Sequence, residues 1–153
     1  MSNIKSMSEK YFDKNAQKYT DDYYLSQIRH PKWQRQKTIE KLVKKFFKSS
    51  SCKILNLGCG PVLLEESLSS FGFFGIGIDS SPSMINLARN RSLENSFSEK
   101  WQFIIGDCEE TKLNSGEFDC VIASGLIEYM PNDEKLLKEV KRLLKDDGIL
   151  IIN

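Results

Sequence analysis

From residue 52 onward, short and continuous apolar runs alternate with longer segments of mixed character. A continuous apolar run of about four to eight residues is typical of a strand that is buried on both faces. The runs predict five strands, at 52–57, 74–78, 101–105, 118–123 and 149–152. Since helices or long connections separate these strands, right-handed crossovers predict a doubly wound, mostly parallel sheet in a three-layer, Rossmann-like α/β fold.

The connections between the strands carry apolar residues at helical spacing. They predict helices at 62–71 and 133–145, and a further helix that begins at Pro82 with Ser80 or Ser81 as its cap.

Two details of these connections are predicted as well. The polar segment 90–100 is expected to form a loop. In the helix at 133–145, the leucines and valine at 3, 4 and 7 spacing are expected to face inward, namely Leu136, Leu137, Val140, Leu143 and Leu144.

The chain before residue 51 has a different character, since residues 1–30 are polar and rich in tyrosine. A short helix is predicted at 8–18, followed by a turn or a new helix start at Asp21-Asp22 and by a second helix over 31–48. Residues 1–50 are therefore predicted to form a helical arm or lid, and residues 51–153 the α/β core.

Composition adds the class of protein. The 153 residues are 40% hydrophobic and 28% charged, as expected for one globular domain. Neither an apolar run long enough to span a bilayer nor a signal-peptide core is present, so a cytoplasmic protein without stable membrane insertion is expected. The four cysteines form no C-x-x-C pair, so buried free thiols are predicted and no metal site.

The net charge of +1 conceals an asymmetry. Residues 1–50 carry 12 Lys and Arg against 5 Asp and Glu, whereas residues 51–153 carry 10 against 16. A basic arm could favour an anionic acceptor, a membrane surface or nucleic acid. Because no aromatic residues interleave with the lysines of the second helix, its lysines are interpreted as a solvated face and no nucleic-acid partner is predicted.

Four of the predicted strands end in residues that suggest a ligand site. The first strand ends in Gly58-Cys59-Gly60, and the next ends in Asp79, 21 residues after Gly58. Asp107 and Ser124 follow two further strands. Open α/β sheets bind ligands at the carboxyl ends of their strands, and an acid about 20 residues after the glycine turn is suited to ribose hydroxyls. Asp107 is placed to accept the amine of an adenine.

The spacing of the glycines distinguishes between nucleotide ligands. A dinucleotide site would place a third glycine at position 63, where Leu63 stands, and no phosphate-binding G-x-x-x-x-G-K-[ST] sequence occurs. A ligand with ribose and adenine but no phosphate fits better. A nicotinamide-dependent oxidoreductase remains the alternative enzyme, motivated by Gly58, Gly60 and Asp79.

These segments resemble the class I S-adenosylmethionine-dependent methyltransferases, and in particular the small-molecule group that includes the enzymes of ubiquinone and menaquinone biosynthesis. The resemblance covers most of the chain. It is carried by Ile54 to Gly60, Gly75 to Met84, Gly106 to Glu109, Phe118 to Ser124 and Leu126 to Tyr129, together with Leu136 to Gly148 and an N-terminal segment around Tyr11, Phe12, Asp13, Ala16 and Tyr19.

The resemblance implies S-adenosylmethionine as cofactor, a small-molecule acceptor and in-line methyl transfer that relies on proximity and orientation. It implies cofactor contacts for Asn56, Gly58, Cys59, Gly60, Asp79, Ser80, Met84, Asp107, Cys108 and Ser124. From the arm, Tyr11 and Tyr19 are expected to face the sulfonium or the acceptor, and Arg35 is expected to pair with the cofactor carboxylate. Glu128 and Tyr129 would lie near the transferred methyl, where a catalytic role is considered for them.

Three departures from the family qualify this reading. Asn56 stands where the family usually has an acid that helps to hold the cofactor's amino group, and Pro61-Val62 replaces a glycine continuation of the turn. The family also continues beyond the fifth strand with a helix and an antiparallel hairpin. The core is therefore expected to be C-terminally incomplete, or its 149–152 edge to be covered by a second copy or another partner. A catalytically silent cofactor-binding or assembly module is the third hypothesis.

Overall fold

A computed structural model describes residues 3–25, 31–47, 51–130 and 132–153. Its centre is a five-stranded sheet in which all pairs of strands are parallel. The strands are β1 (Lys53–Leu57), β2 (Phe74–Asp79), β3 (Trp101–Ile105), β4 (Phe118–Ala123) and β5 (Leu144–Ile152), in the spatial order β3-β2-β1-β4-β5. This order places the carboxyl ends of β1 and β4 side by side at the point where the winding reverses.

Helices cover both faces of the sheet. They are α1 (Asn3–Leu25), α2 (Pro31–Phe46), α3 (Leu63–Ser70), α4 (Pro82–Glu94) and α5 (Asp133–Leu143), with a single 3₁₀ turn at Ile127–Tyr129.

Alternate residues of the central strands belong to two separate apolar clusters. Ile54 and Ile122 pack on one face with side chains of α2, α3 and α4, and Leu55 and Val121 pack on the other face with side chains of α5. The predicted three-layer, doubly wound fold is therefore confirmed.

The prediction was wrong for the first helix. Residues 8–18 belong to a 23-residue helix, and Asp21 and Asp22 lie within it on its exposed face rather than in a turn. The helix is fixed by its packing against α4, which buries Ala16 and Thr20. The helix predicted to reach residue 48 is described as far as Phe46, and residues 48–50 lie outside the described residues.

Two further boundaries differ. The segment 90–100 is not all loop, because α4 continues to Glu94, with Ser92 buried and Arg91 bonded to Glu66 at 2.9 Å. At the other end of the core, Leu144 pairs with Phe118 in the sheet instead of ending α5.

The inward face of α5 is narrower than predicted. Leu136, Val140 and Leu143 are buried, but Leu137 is 41% exposed because it lies one position outside this stripe. Within the described residues, β5 is paired with β4 alone and forms an edge of the sheet.

Candidate cofactor site

A cavity lies over the carboxyl ends of β1 to β4 and beneath α1 and α2. Tyr11, which the sequence also placed at the site, is 60% exposed and does not line this cavity. The fourteen other residues that the sequence nominated all line it. They are Tyr19, Arg35, Asn56, Gly58, Cys59, Gly60, Asp79, Ser80, Met84, Asp107, Cys108, Ser124, Glu128 and Tyr129. The parallel topology explains the convergence, since the carboxyl ends of all strands meet at the same edge of the sheet.

The glycine turn is held against the next strand by backbone hydrogen bonds. The amides of Gly58 and Cys59 donate to the carbonyl of Ile78 at 2.8 and 3.0 Å. Gly58 and Gly60 have φ angles of 71° and 50°, in the left-handed region that favours glycine. A Cβ added at Gly60 would meet no protein atom within 4 Å, so the turn forms an open floor on which a ligand can lie.

Asp79 connects this turn to the helix that follows β2. One carboxylate oxygen accepts from the Gly60 amide at 3.0 Å and the other from the Ser81 amide at 2.9 Å. Burial raises the pKa of Asp79, and the hydrogen bonds from the Ser81, Gly60 and Ser80 amides oppose that rise. A carboxylate has about four acceptor positions, so Asp79 retains capacity for ribose hydroxyls.

Beyond the turn, the departure at Pro61-Val62 changes the start of α3. Val62 is buried and adopts φ 55° and ψ 26°, a left-handed conformation that costs a β-branched residue free energy. The carbonyl of Pro61 accepts a hydrogen bond from the Tyr24 hydroxyl at 2.6 Å, which attaches the end of α1 to the turn.

Asn56 lies in the floor of the cavity and has a partner that the sequence analysis missed. Its side-chain nitrogen donates to Oε1 of Glu65 at 2.7 Å. Glu65 is fully buried on α3, one turn before the buried Leu68 and Ser69. The helical spacing of Glu65 from Leu68 and Ser69 places this acid on the buried face of α3, so the sequence could have revealed its burial.

At the adenine end, Asp107 is already paired with the arm. Nζ of Lys5 lies 2.7 Å from Oδ1 of Asp107 and also contacts Glu109. Burial acts against ionisation of Asp107, but the hydrogen bond and charge of Lys5 together with the Glu109 amide hold its pKa below the ordinary value. No pattern in the sequence indicated Lys5, because the contact spans 102 positions of the chain.

The mouth of the cavity is formed by α1, α2 and the 3₁₀ turn. Arg35 lies directly over Gly125, where a Cβ would come within 2.3 Å of its Nη1. Nζ of Lys32 lies 3.7 Å from the centre of the Tyr19 ring. Lys32 precedes Arg35 by one helical turn, so helical spacing could have placed it at the cavity, but the sequence analysis missed it. Burial raises the pKa of Tyr19.

The arm is attached to the core at a further point. Asp13 accepts hydrogen bonds from the Ser81 hydroxyl and the Ser83 amide, both at 2.9 Å, at the N-terminus of α4. The ring of Phe12 packs edge-on against Tyr129 at 5.3 Å between centroids. The arm therefore covers the cavity in this structure, while its role as a movable lid and the division at residue 50 remain predictions.

The four cysteines are free and buried. Burial raises the pKa of Cys108 to about 12, so this thiol in the cavity wall stays protonated at neutral pH.

The helices of the described residues all lack an apolar stretch of the length needed to span a bilayer. Among the same residues, no group of three or more His, Cys, Asp or Glu side chains is arranged to hold a metal ion.

The chain is similar in sequence to known proteins. Residues 55–152 match the methyltransferase domain family. The ubiquinone biosynthesis O-methyltransferase of Haemophilus ducreyi is 28% identical over 104 residues, which are 66% of this chain and 44% of that protein. The same enzyme of Colwellia psychrerythraea is 30% identical over 101 residues, which are 66% of this chain and 41% of that protein. The chain thus spans less than half the length of these curated relatives.

Solved structures are similar as well. A protein of Pyrococcus horikoshii is 32% identical, with a TM-score of 0.70 over 78% of this chain and 56% of that chain. An S-adenosylmethionine-dependent methyltransferase of Geobacter sulfurreducens, solved with S-adenosylhomocysteine, has 20% identity and a TM-score of 0.66 over 80% of this chain and 47% of that chain; this likeness concerns the fold. With residues 55–152 matched, the chain belongs to the methyltransferase domain family.

Proposed function

We propose that this protein binds S-adenosylmethionine in the cavity described above and transfers the methyl group to an oxygen of a small-molecule acceptor. The observation that carries the proposal is the carboxylate of Asp79, which lies 3.0 Å from the Gly60 amide beside an open floor. The oxygen acceptor is favoured by the O-methyltransferase relatives.

The residues of the cavity fit the cofactor in chemical type. The glycine turn would lie beneath its methionine part, and Arg35 would pair with its carboxylate. Asp79 has spare acceptor positions for ribose hydroxyls. The buried Met84 supplies an apolar wall for the adenine, and Asp107 an acceptor for its amine once that carboxylate is shared with Lys5.

Methyl transfer to the acceptor would depend mainly on how the two reactants are oriented. When bound, the cofactor supplies a methyl group on a positively charged sulfur. The chain's own residues would hold the acceptor in line with that methyl group and exclude water, for which the covering arm is suited. The hydroxyl proton of the acceptor leaves as the new bond between oxygen and carbon forms, and the exposed carboxylate of Glu128 at the mouth of the cavity is placed to receive it.

The alternatives are not favoured. A dinucleotide would need a close approach at position 63, where the side chain of Leu63 lines the cavity. A silent module and a partner chain on the edge of β5 remain predictions, as does a cytoplasmic location.

Calorimetry with S-adenosylhomocysteine tests the binding step. We expect the unchanged protein to bind and Asp79→Ala to weaken binding by about 10- to 100-fold, because charge-assisted hydrogen bonds to the ribose are lost. Asp146→Ala, which removes an exposed acid at the start of β5, is the matched control. An absence of binding at millimolar ligand, or binding that is insensitive to Asp79→Ala, contradicts the proposal.

Transfer of a labelled methyl group to a panel of phenols and catechols, with amines as comparison, tests the acceptor class. Labelled product from a ring hydroxyl supports oxygen transfer. Transfer to amines alone would replace the oxygen acceptor, and a protein that binds the cofactor product but methylates nothing would favour the silent module.

A further inference from the structure

The floor of the cavity contains a buried acid that does not itself line it. Glu65 of α3 is fully buried, and its Oε1 accepts a hydrogen bond from the side-chain amide of Asn56 at 2.7 Å. Its other oxygen, Oε2, has no hydrogen-bond partner among the described residues. A buried carboxylate in this condition costs free energy, so its presence calls for a physical reason.

The geometry of the pair orients Asn56. Because the nitrogen of the amide is turned toward Glu65, its oxygen is left for the cavity that Asn56 lines. An amide oxygen accepts hydrogen bonds from an ammonium group, but it carries no charge. A carboxylate behind that amide polarises it and adds a negative potential in surroundings of low dielectric constant.

We propose that Glu65 is a positioning residue for the cofactor: it holds Asn56 with its oxygen toward the cavity and, through Asn56, supplies the negative charge that attracts the cofactor's α-ammonium group. The inference rests on the proposed function. The acid that the family usually has at position 56 is thus replaced by a pair in which the amide touches the ligand and the charge stands behind it.

Ligand binding is expected to change the protonation of Glu65. Burial raises the pKa of Glu65 to about 7, although the hydrogen bond from Asn56 opposes this rise. A cation that enters the cavity favours the ionised form, so binding at neutral pH releases part of a proton from Glu65.

Other titratable groups surround Glu65. Asp79 at the end of β2 and Cys59 in the turn interact with it, and burial raises the pKa of both. Glu66 on α3 pairs with Arg91 of α4. On α2, which packs against α3, Glu40 pairs with Lys37 and Lys44 and accepts from Ser67. A variant at Glu65 itself separates its contribution from theirs.

The test is the binding of S-adenosylhomocysteine, which keeps the α-ammonium group, measured by calorimetry between pH 6 and pH 8. If only the form with ionised Glu65 binds well, the dissociation constant of the unchanged protein falls by up to about tenfold over this range. At pH 7 the heat of binding should depend on the ionisation enthalpy of the buffer, because about half a proton is released.

Glu65→Gln is expected to lose this proton release and to bind about tenfold more weakly than the unchanged protein at pH 8, with the difference shrinking toward pH 6. Glu66→Gln makes the same substitution one position along the helix, outside the cavity, and should retain the proton release. The exchange Asn56→Asp/Glu65→Gln places the acid in the floor of the cavity. It should restore affinity at pH 8 to within about threefold and remove the pH dependence, because the acid is then ionised throughout.

The outcomes distinguish the two proposals. If the unchanged protein does not bind S-adenosylhomocysteine at all, the proposed function fails. If it binds while Glu65→Gln retains the same affinity and proton release, the role of Glu65 fails alone. If Glu65→Gln is unfolded, the folded exchange variant decides, since weak binding by it at pH 8 overturns the inference.

Discussion

Nζ of Lys5 lies 2.7 Å from Oδ1 of Asp107, so the first turns of α1 are tied to the residue that follows β3. The same ammonium group lies 2.5 Å from a carboxylate oxygen of Glu109. Asp107 is the residue expected to accept the adenine amine. The attachment of the arm and the proposed recognition of adenine would therefore share one carboxylate.

The ion pair predicts how the start of α1 behaves without it. Lys5→Met should increase amide hydrogen exchange over residues 5–12 by up to about fivefold, because a partly exposed ion pair contributes at most about 1 kcal/mol. The effect should be largest at low ionic strength, where such pairs are least screened. Lys10→Met, at an exposed position of the same helix, is the control. Equal exchange in both variants would show that Lys5 does not hold the arm.

Much of the fold could be predicted because the strands are continuous apolar runs. The observed bounds of β3 and β4 coincide with the predicted 101–105 and 118–123. Because the strands are parallel, their carboxyl ends lie at the same edge of the sheet. Residues as distant in sequence as Gly58 and Ser124 could therefore be assigned to one cavity.

What could not be predicted depends on contacts between distant segments. The length of α1 follows from its packing on α4, and Lys5 finds partners more than 100 positions away. The helical spacing of Glu65 marks its side of α3 as buried, but its hydrogen bond to Asn56 depends on how α3 packs over that residue. The early start of β5 at Leu144 depends on pairing with Phe118.

Because the backbone at Val62 is strained, we predict that glycine is more stable than alanine at this position, which reverses their usual order. At most positions glycine is less stable than alanine by about 0.5–1 kcal/mol. At Val62 the left-handed conformation penalises any side chain by about 1 kcal/mol or more, and glycine escapes this penalty.

Both Val62→Ala and Val62→Gly lose the burial of the isopropyl group. We therefore expect Val62→Gly to be the more stable of the two by about 1 kcal/mol in urea unfolding. Val43, which is equally buried within the regular helix α2, provides the control pair, where alanine should be favoured. If Val62→Ala proved more stable than Val62→Gly, the result would contradict backbone strain at the start of α3.

Glu139 lies on α5, on the face of the sheet opposite α3, and is expected to make the stability of the protein depend on pH. It accepts hydrogen bonds from Arg142 and from the amide and hydroxyl of Thr111, at 2.7 to 2.9 Å. The hydrogen bond from Arg142 lowers the pKa of Glu139 to about 2 from an ordinary 4.5, because its effect is larger than that of burial, which raises the pKa.

A carboxyl group whose pKa is lowered by folding contributes its stability above the ordinary value and loses it as the pH falls toward the folded value. The contribution of Glu139 is thus complete above pH 4.5 and declines toward pH 2. Glu139→Gln should reduce the free energy of unfolding by about 2 kcal/mol at pH 7, and the difference from the unchanged protein should narrow at pH 3. Glu134→Gln, an exposed acid of the same helix, should change little at either pH. A constant difference across this range would contradict the assignment.

The pair Glu128 and Tyr129 allows the acceptor's proton to be followed. Burial, and then the nearby charge of Glu128, raises the pKa of Tyr129, so its hydroxyl keeps its proton at neutral pH and cannot receive another group's proton. Glu128 presents an exposed carboxylate to the same cavity. We therefore expect Glu128→Gln to lower kcat for a phenolic acceptor by about 10- to 100-fold while leaving the affinity for S-adenosylhomocysteine within about twofold.

Tyr129→Phe retains the ring that packs against Phe12 and should lower kcat by less than about fivefold. The deficit of Glu128→Gln should shrink as the pH approaches 10, where a phenol ionises without assistance. Initial rates between pH 6 and pH 10, at saturating cofactor and acceptor, measure both effects. A deficit of Glu128→Gln that persists unchanged at pH 10 would mean that the carboxylate positions the acceptor rather than receives its proton. An equal loss in Tyr129→Phe would assign the larger role to the tyrosine hydroxyl.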